Sequence, residues 1–358
     1  MGPASVRKHR AALLATGLVV LCGWGFSLTG AVFASTRLVP EQYATIQAAV
    51  DASVSGDVVL LSPGTYTGDG NRAIDFRGQD LVLTSVAGPE QTIIDCEHVA
   101  RGFYLHSYET RAARIERITV RNGYASMHVP CIGAGGGICC RVSNPTISDC
   151  VIENCSSDAV GGGVYLFSDG LLQRCMIRGN YSDQGGGIAE TYGAAAIEDC
   201  VITDNLAGQG GGITFNGAGA NTLKGCTISA NFAGEGGGVW TGNRAFLDEC
   251  IVWGNWTLFG DSNDIMVTGM GADVRCCNID TTGVSEPTST SITYDEFCVY
   301  TEPRFCNSYP GDWTLWNDSP CLPEHSPCGQ LIGALGQGCN GPTPTRVTSW
   351  GRIKAAYR

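Results

Sequence analysis

The chain has 358 residues, a formal net charge of −12, 50 glycines, 18 cysteines and only three lysines, Lys8, Lys224 and Lys354. Nucleic acids and anionic membrane surfaces bind clustered Lys and Arg, so this acidic chain is a poor partner for either. The glycines cluster in triplets instead of falling at every third position, which excludes a collagen pattern.

Residues 1–34 read as an export signal. Arg7, Lys8, His9 and Arg10 form a basic region, Ala11 to Leu21 an apolar core, and Val32-Phe33-Ala34 a small-residue cleavage site before Ser35. The alternative is an uncleaved anchor, since Ala11 to Ala34 is uncharged and of spanning length. Cleavage is the expectation, because Gly17, Gly23, Gly25 and Gly30 dilute the hydrophobicity. The segment carries Arg7, Lys8 and Arg10 and no acid, so its loss leaves a net charge of −15. It also leaves 17 cysteines, enough to imply an oxidising compartment with some disulfides and, being odd, at least one thiol outside them.

Residues 35–56 form an N-terminal cap. Thr45 is placed to cap a short helix whose Ile46, Ala49 and Val50 share one face, and Gly56-Asp57 ends it. Strands are expected at Val58–Leu61, Ala73–Phe76, Leu81–Ser85, Thr92–Asp95, Phe103–His106 and Ile115–Val120, separated by glycine and proline turns.

A repeat then takes over. Glycine triplets begin at Gly135, Gly161, Gly185, Gly210 and Gly236, each followed by Ile or Val. Cysteines recur at Cys150, Cys175, Cys200, Cys226, Cys250 and Cys276, at steps of 25, 25, 26, 24 and 26 residues. Ile118, Val120 and Asn122 match the same register one turn earlier. Asn180, Asn205, Asn231 and Asn255 each fall five residues after a cysteine. A period of this length means one unit stacked on copies of itself. Each unit has room for short strands and none for a useful helix, so residues 57–277 are expected to form an all-β solenoid, a single-stranded parallel β-helix of about nine coils. Successive coils lie ~4.8 Å apart. The cysteines then form an inward column of stacked thiols in preference to disulfides, the asparagines a turn ladder, and the glycines the corners.

The segments TIQAAVDASVSGDVVLLSPGTY, IDFRGQDLVLTSVAGPEQTIIDC and RGFYL resemble the cap and first coils of pectin-lyase-like right-handed β-helix proteins, and the GGG[IV]…C-x-I…N units are similar to the repeats of polymorphic outer-membrane proteins. The resemblance covers roughly residues 39–280 and implies a right-handed helix. It does not imply one activity, because the fold hosts lyases, hydrolases, esterases, epimerases and non-catalytic surface proteins. Of the sequence motifs of its hydrolases only Arg352-Ile353-Lys354 occurs here, and it lies in the tail.

Residues 278–340 lose the period and read as irregular last coils and a cap stapled by Cys321, Cys328 and Cys339. Residues 341–358 are a Pro/Thr linker and a basic tail with Trp350, Ile353 and Tyr357, a sorting signal or a simple terminus.

Candidate chemistry lies where the repeat breaks. Asp95, Glu97, His98, Arg101 and His106 cluster on two early coils and are the catalytic candidates, against the reading that they are ordinary turn residues. Tyr124, Met127 and His128 belong to an insertion, Tyr124–Ala134, and are binding candidates. Arg174 and Asp199 belong to a column of charges preceding the cysteines (Arg117, Asp149, Arg174, Asp199, Gly225, Glu249, Arg275), an ion-pair ladder or a sugar-binding face. Glu190 stands where neighbouring repeats hold Cys140, Leu166, Phe215 and Thr241. No metal site or cofactor is expected, except calcium if the chain degrades acidic glycans. The expectation is an exported, monomeric, non-catalytic scaffold, secreted or at the cell surface, presenting a face to a polysaccharide or a cell-surface protein, with membrane contact only through the leader or tail. The alternative is a polysaccharide lyase or glycosidase acting on acidic glycans.

Overall fold

A computed structural model describes residues 34–128, 131–258, 264–280, 284–285, 292–308 and 311–340. The leader, the linker and the basic tail lie outside the described residues, as do two residues of the Tyr124–Ala134 insertion.

The chain winds as a parallel β-helix. Its strands stack into sheets of eleven, nine, eight and six parallel strands, and a separate three-stranded sheet contains residues near the C-terminal end. In the eleven-stranded sheet Val59, Leu83, Ile115, Ile147, Leu172, Ile197, Leu223 and Leu247 lie in register and are buried. The nine-stranded sheet stacks Ile94, Val120, Ile152, Ile177, Ile202, Ile228 and Val252 in the same way. Each such side chain contributes ~1.5–3 kcal/mol by burial, so the core is a sum of near-identical layers.

The fold is the expected one, with about eleven turns in place of nine. The solenoid begins inside the cap, where Thr36–Val39 pairs with Val58–Leu61, and runs past the repeats to Ile292–Tyr294. The helix spans Ile46–Asp51, with Thr45 accepting from the Ala48 N–H, and buries Ile46, Ala49 and Val50. Two expected strands differ. Ile115–Val120 divides into Arg114–Glu116 and Thr119–Arg121, because Arg117 turns a corner at φ 57°. Ala73–Phe76 is reduced to one bridge, Ile74 to Phe103.

The glycine triplets have three separate causes. The first glycine of each adopts positive φ, 67° at Gly135 and 60° at Gly236. A Cβ on the second would strike the backbone oxygens of Tyr181, Leu206, Phe232 and Trp256 in the six-stranded sheet. A Cβ on the third would stand 3.0 Å from Asn180 Nδ2 at Gly163 and 2.8 Å from Asn255 Nδ2 at Gly238. Glycine thus supplies a left-handed corner, close backbone approach and room for the asparagines.

The asparagine ladder is continuous. Each Oδ1 accepts the main-chain N–H and the Nδ2 of the asparagine one coil earlier: Asn205 from Asn180 at 3.0 and 3.0 Å, Asn231 from Asn205 at 3.0 and 2.9 Å, Asn255 from Asn231 at 3.0 and 2.9 Å. Each Nδ2 also reaches a core carbonyl, Asn205 to Ile177 O at 3.0 Å. Cys155 stands at the ladder position before Asn180 and donates its N–H to Asn180 Oδ1 at 2.9 Å. Asn122 does not join the ladder. It lies beside Asn154 in a corner column at φ 56° and 53°, and Gly123 takes the ladder position, its N–H donating to Cys155 Sγ at 3.3 Å.

The cysteine column contains Cys150, Cys175, Cys200, Cys226 and Cys250, all buried thiols. Its next member is Cys277, not Cys276: the Cys250 N–H donates to Cys277 Sγ at 3.3 Å. Register decides this, because Asp248 pairs with Arg275 and the next two residues follow in step. Cys276 falls on the corner at φ 46° and is disulfide-bonded to Cys328. The other disulfides are Cys306–Cys339 and Cys131–Cys139. Cys321 does not staple the end. It is a buried thiol packed with Ile251, Leu315, Leu322 and Ile332. That cluster lays the C-terminal segment along the outside of the nine-stranded sheet, where the Gly333 N–H donates to Glu249 O at 2.7 Å and the Ala334 N–H to Thr227 Oγ1 at 3.0 Å.

Candidate functional site

A solenoid can bind only on its outer faces, and most of them are already occupied. The eleven-stranded sheet carries charged and polar residues joined across coils, such as Gln173 to Glu198 at 2.7 Å and Arg244 to Asp273 at 2.7 Å. The nine-stranded sheet carries the pairs Arg121–Asp95 (2.8 Å) and Arg178–Glu153 (2.7 Å), and the C-terminal segment covers Ile251. On the eight-stranded sheet the outward Tyr165 is 7% exposed, packed with Cys131, Ala134 and Cys139 of the disulfide-closed loop.

The six-stranded sheet differs. Its outward column, read along the register, is Tyr124, Ser156, Tyr181, Leu206, Phe232 and Trp256. Tyr181 and Leu206 are exposed by 50% and 36%, and the flanking Met127 and Leu258 are also exposed. The inward residues of these strands are small, Ala125, Ser157, Ser182, Ala207 and Ala233, because the glycine triplets pack tightly behind them. Tyr124, Phe232 and Trp256 are half-buried, and apolar residues aligned on an outer face are informative where scattered ones are not. Polar groups flank the row: Tyr124 donates to Asp158 at 3.0 Å, Gln209 donates to Glu235 at 3.1 Å, and Gln184 accepts from Asn216 at 3.3 Å. Asp183 is exposed beside them, and the strands of this sheet contain no Lys or Arg.

The catalytic candidates do not meet in one site. Asp95 belongs to the ion-pair column of the nine-stranded sheet. Burial raises its pKa, but hydrogen bonds from Asn122, the Glu97 N–H and Arg121 outweigh that and hold it low. Glu97 and His98 form a left-handed turn at φ 56° and 55°, with Glu97 bound to Arg72 at 2.6 Å and His98 exposed. Arg101 and His106 flank the first strand of the eight-stranded sheet. There the Arg101 guanidinium lies 5.1 Å from the centre of the Tyr104 ring, which stacks on His106 at 4.2 Å, and His106 Nε2 is 3.3 Å from Asp75 Oδ2. Arg101 is 4% exposed, and burial lowers its pKa to about 10. This stack orders Tyr104.

Among the binding candidates, Tyr124 heads the apolar column. Met127 is tied beside it, its N–H donating to Asp158 at 3.1 Å, and His128 follows as an exposed residue. Arg174 and Asp199 lie on a different edge, the corner between the eleven- and nine-stranded sheets. That whole column is left-handed, from φ 57° at Arg117 through 52° at Arg174 and 53° at Asp199 to Cys276, so Arg275 is not its last member. Arg174 pairs with Asp149 through two 2.8 Å bonds, and burial followed by the Glu198 charge raises the Asp199 pKa. Glu190 points into the core. Its carboxylate accepts from the Gly193 N–H (2.5 Å), the Gly217 N–H (3.0 Å) and Asn221 Nδ2 (3.0 Å), and burial raises its pKa against those bonds. Among the described residues no group of three or more His, Cys, Asp or Glu side chains is placed to hold a metal ion.

The apolar column escaped the sequence reading although its signal is plain. Tyr181, Leu206, Phe232 and Trp256 each follow a ladder asparagine directly. When one residue of a strand faces inward the next faces outward, so a large apolar residue there lies on the outer face of the sheet.

Residues 85–257 and 162–284, together more than half of the chain, match the family described as "Right handed beta helix region". The chain belongs to this family of right-handed parallel β-helix proteins. No curated protein sequence matches it significantly. Similar solved structures include a pectate lyase, at 11% identity and TM-score 0.48, with 81% of this chain and 90% of that one covered. A pectin methylesterase from carrot is similar at 12% identity and TM-score 0.39, covering 75% and 82%. The A-module of a mannuronan C-5 epimerase from Azotobacter vinelandii is similar at 15% identity and TM-score 0.38, covering 72% and 91%.

Proposed function

We propose that this protein is an exported, non-catalytic β-helix scaffold whose six-stranded sheet binds a neutral glycan chain. The observation that carries the reading is the outward column from Tyr124 to Trp256, in which Tyr181 and Leu206 are exposed and Tyr124, Phe232 and Trp256 are half-buried. Its steps of ~4.8 Å make a long, straight platform suited to an extended polymer. Aromatic rings cover the apolar faces of sugars, and Asp183, Gln184, Gln209 and Glu235 offer hydrogen bonds to hydroxyls. Carboxylates without cations on this face disfavour polyuronates, so binding requires no calcium. The three disulfides suit an oxidising, extracytoplasmic setting. The experiment is retention of the purified protein on a panel of immobilised neutral and acidic glycans, with and without calcium. Retention on a neutral polymer, lost in Tyr181→Ala/Trp256→Ala, supports the reading. Selective retention on polyuronates, or release of unsaturated or reducing ends, overturns it in favour of an enzyme, for which Asp75, Arg101 and His106 are the groups to test first.

A further inference from the structure

Ser35 is the point at which the main chain enters the fold. Its N–H donates to Asp57 Oδ1 at 2.7 Å, its C=O accepts from the Val58 N–H at 2.9 Å, and the strand Thr36–Val39 continues from it. Ala34, just before it, is exposed. Asp57 is 1% exposed. Its other oxygen, Oδ2, is 3.1 Å from Arg37 Nη2 and accepts the Val54 N–H at 3.1 Å. The remaining charges of this turn are engaged elsewhere: Asp51 with Arg77 at 3.1 Å, and Asp80 with Thr110 at 2.7 Å. Asp57 therefore has one cationic partner, Arg37, and its best-placed oxygen is aimed at a backbone nitrogen.

That nitrogen adjoins the small-residue motif Val32-Phe33-Ala34. We propose that a leader-removing protease cleaves the Ala34–Ser35 bond and that the new α-ammonium of Ser35 forms an ion pair with Asp57, which locks the first turn of the solenoid. Hydrolysis adds one water across the peptide bond, leaving a carboxylate on Ala34 and an amine on Ser35 that takes up a proton. An amide N–H at this place gives Asp57 one neutral donor. The ammonium gives it a full opposite charge, and a hydrogen bond between charged partners is stronger than one from a neutral amide. Processing and folding are thereby coupled: the chain that still carries its leader lacks this contact.

The sign with pH follows. Pairing raises the α-amino pKa of the folded protein above its ordinary ~7.7–8.0, so the contribution is complete below that range and is lost as pH rises through the folded value. Asp57 is held low, first by the Ser35 hydrogen bond, so the same contribution is lost when acid protonates it. The test uses the full chain exported with its own leader. Amino-terminal sequencing is expected to begin at Ser35, and any other start overturns the proposal. The mature protein is then compared with a form extended by Gly-Ser before Ala34 and with an Nα-acetylated Ser35 form. At pH 6 both are expected to unfold with an equilibrium constant on the order of tenfold larger, the scale of one pKa unit of linkage, and the gap is expected to close by about pH 10. In an Asp57→Asn background the gap is expected to disappear. No gap at pH 6, or one that persists at high pH or with Asp57→Asn, overturns the ion pair. Glycan retention does not enter these readouts, so the two proposals fail separately.

Discussion

Asp264 Oδ1 accepts both the main-chain N–H (2.9 Å) and the Nδ2 (2.5 Å) of Asn255, which ends the amide ladder in a carboxylate. Asp264 occupies the column of third glycines: Val239 N donates to its carbonyl as Ile213 N does to that of Gly238. Where glycine elsewhere leaves room for the next asparagine, Asp264 fills that room with its own side chain.

Burial raises the pKa of Asp264 well above the usual carboxylate range. A raised folded pKa gives its stabilisation below the ordinary value near 3.8, and that stabilisation is lost as pH rises through the folded pKa. Asp264→Asn keeps the acceptor and removes the charge. It is expected to melt above the parent at pH 7 and to converge with it near pH 4. Asp264→Ala leaves the Asn255 donors unmatched and is expected to cost about 1–3 kcal/mol. Thermal unfolding across that pH range checks both.

The inner ladder and the outer charges should differ sharply in weight. Asn205→Ala removes the acceptor for two Asn180 donors and the donor to Ile177 O inside the core. A loss of about 2–4 kcal/mol is expected from several buried groups left unpaired. Arg174→Ala breaks only a pair whose side chains are 51% and 41% exposed, and such surface pairs contribute about 0–1 kcal/mol. Denaturant unfolding of the two variants measures the contrast.

The cysteines give a chemical readout. Eleven described cysteines are free thiols, ten of them buried and Cys298 partly exposed. A thiol reagent is expected to label Cys298 first in the native protein and all eleven in denaturant. Rapid labelling of Cys200 or Cys226 in the native protein would refute the closed column.

The legible part of this fold was its inward half. Triplet, cysteine and asparagine recur at fixed steps because each touches its own copy one coil away, and self-contact leaves a periodic trace. Cys276 was misplaced because two adjacent cysteines both satisfy a period that drifts by a residue, and only strand register separates them. The Cys131–Cys139 disulfide and Cys306, the partner of the expected staple Cys339, left no trace, since they lie outside the period. The five early candidates looked clustered because they are close in sequence, yet corners at Glu97 and His98 send them to different faces. The apolar column varies as Tyr, Leu, Phe and Trp. A surface that touches a ligand instead of its own copy need not repeat its residue type.

The central claim is that this outer column binds a neutral glycan without cleaving it. The direct measurement is a binding isotherm, on the polymer that retains the parent, for the parent and for Tyr181→Ala/Phe232→Ala/Trp256→Ala, with the bound polymer recovered and its chain ends counted. All three positions face outward, but Phe232 and Trp256 are half-buried, so the variant is expected to lose some stability and is compared with the parent at a temperature where both are folded. Each lost ring contact is expected to weaken binding by about 0.5–1.5 kcal/mol, and the polymer to be recovered with no new ends. Unchanged affinity in the triple variant, or new chain ends produced by the parent, would contradict the account.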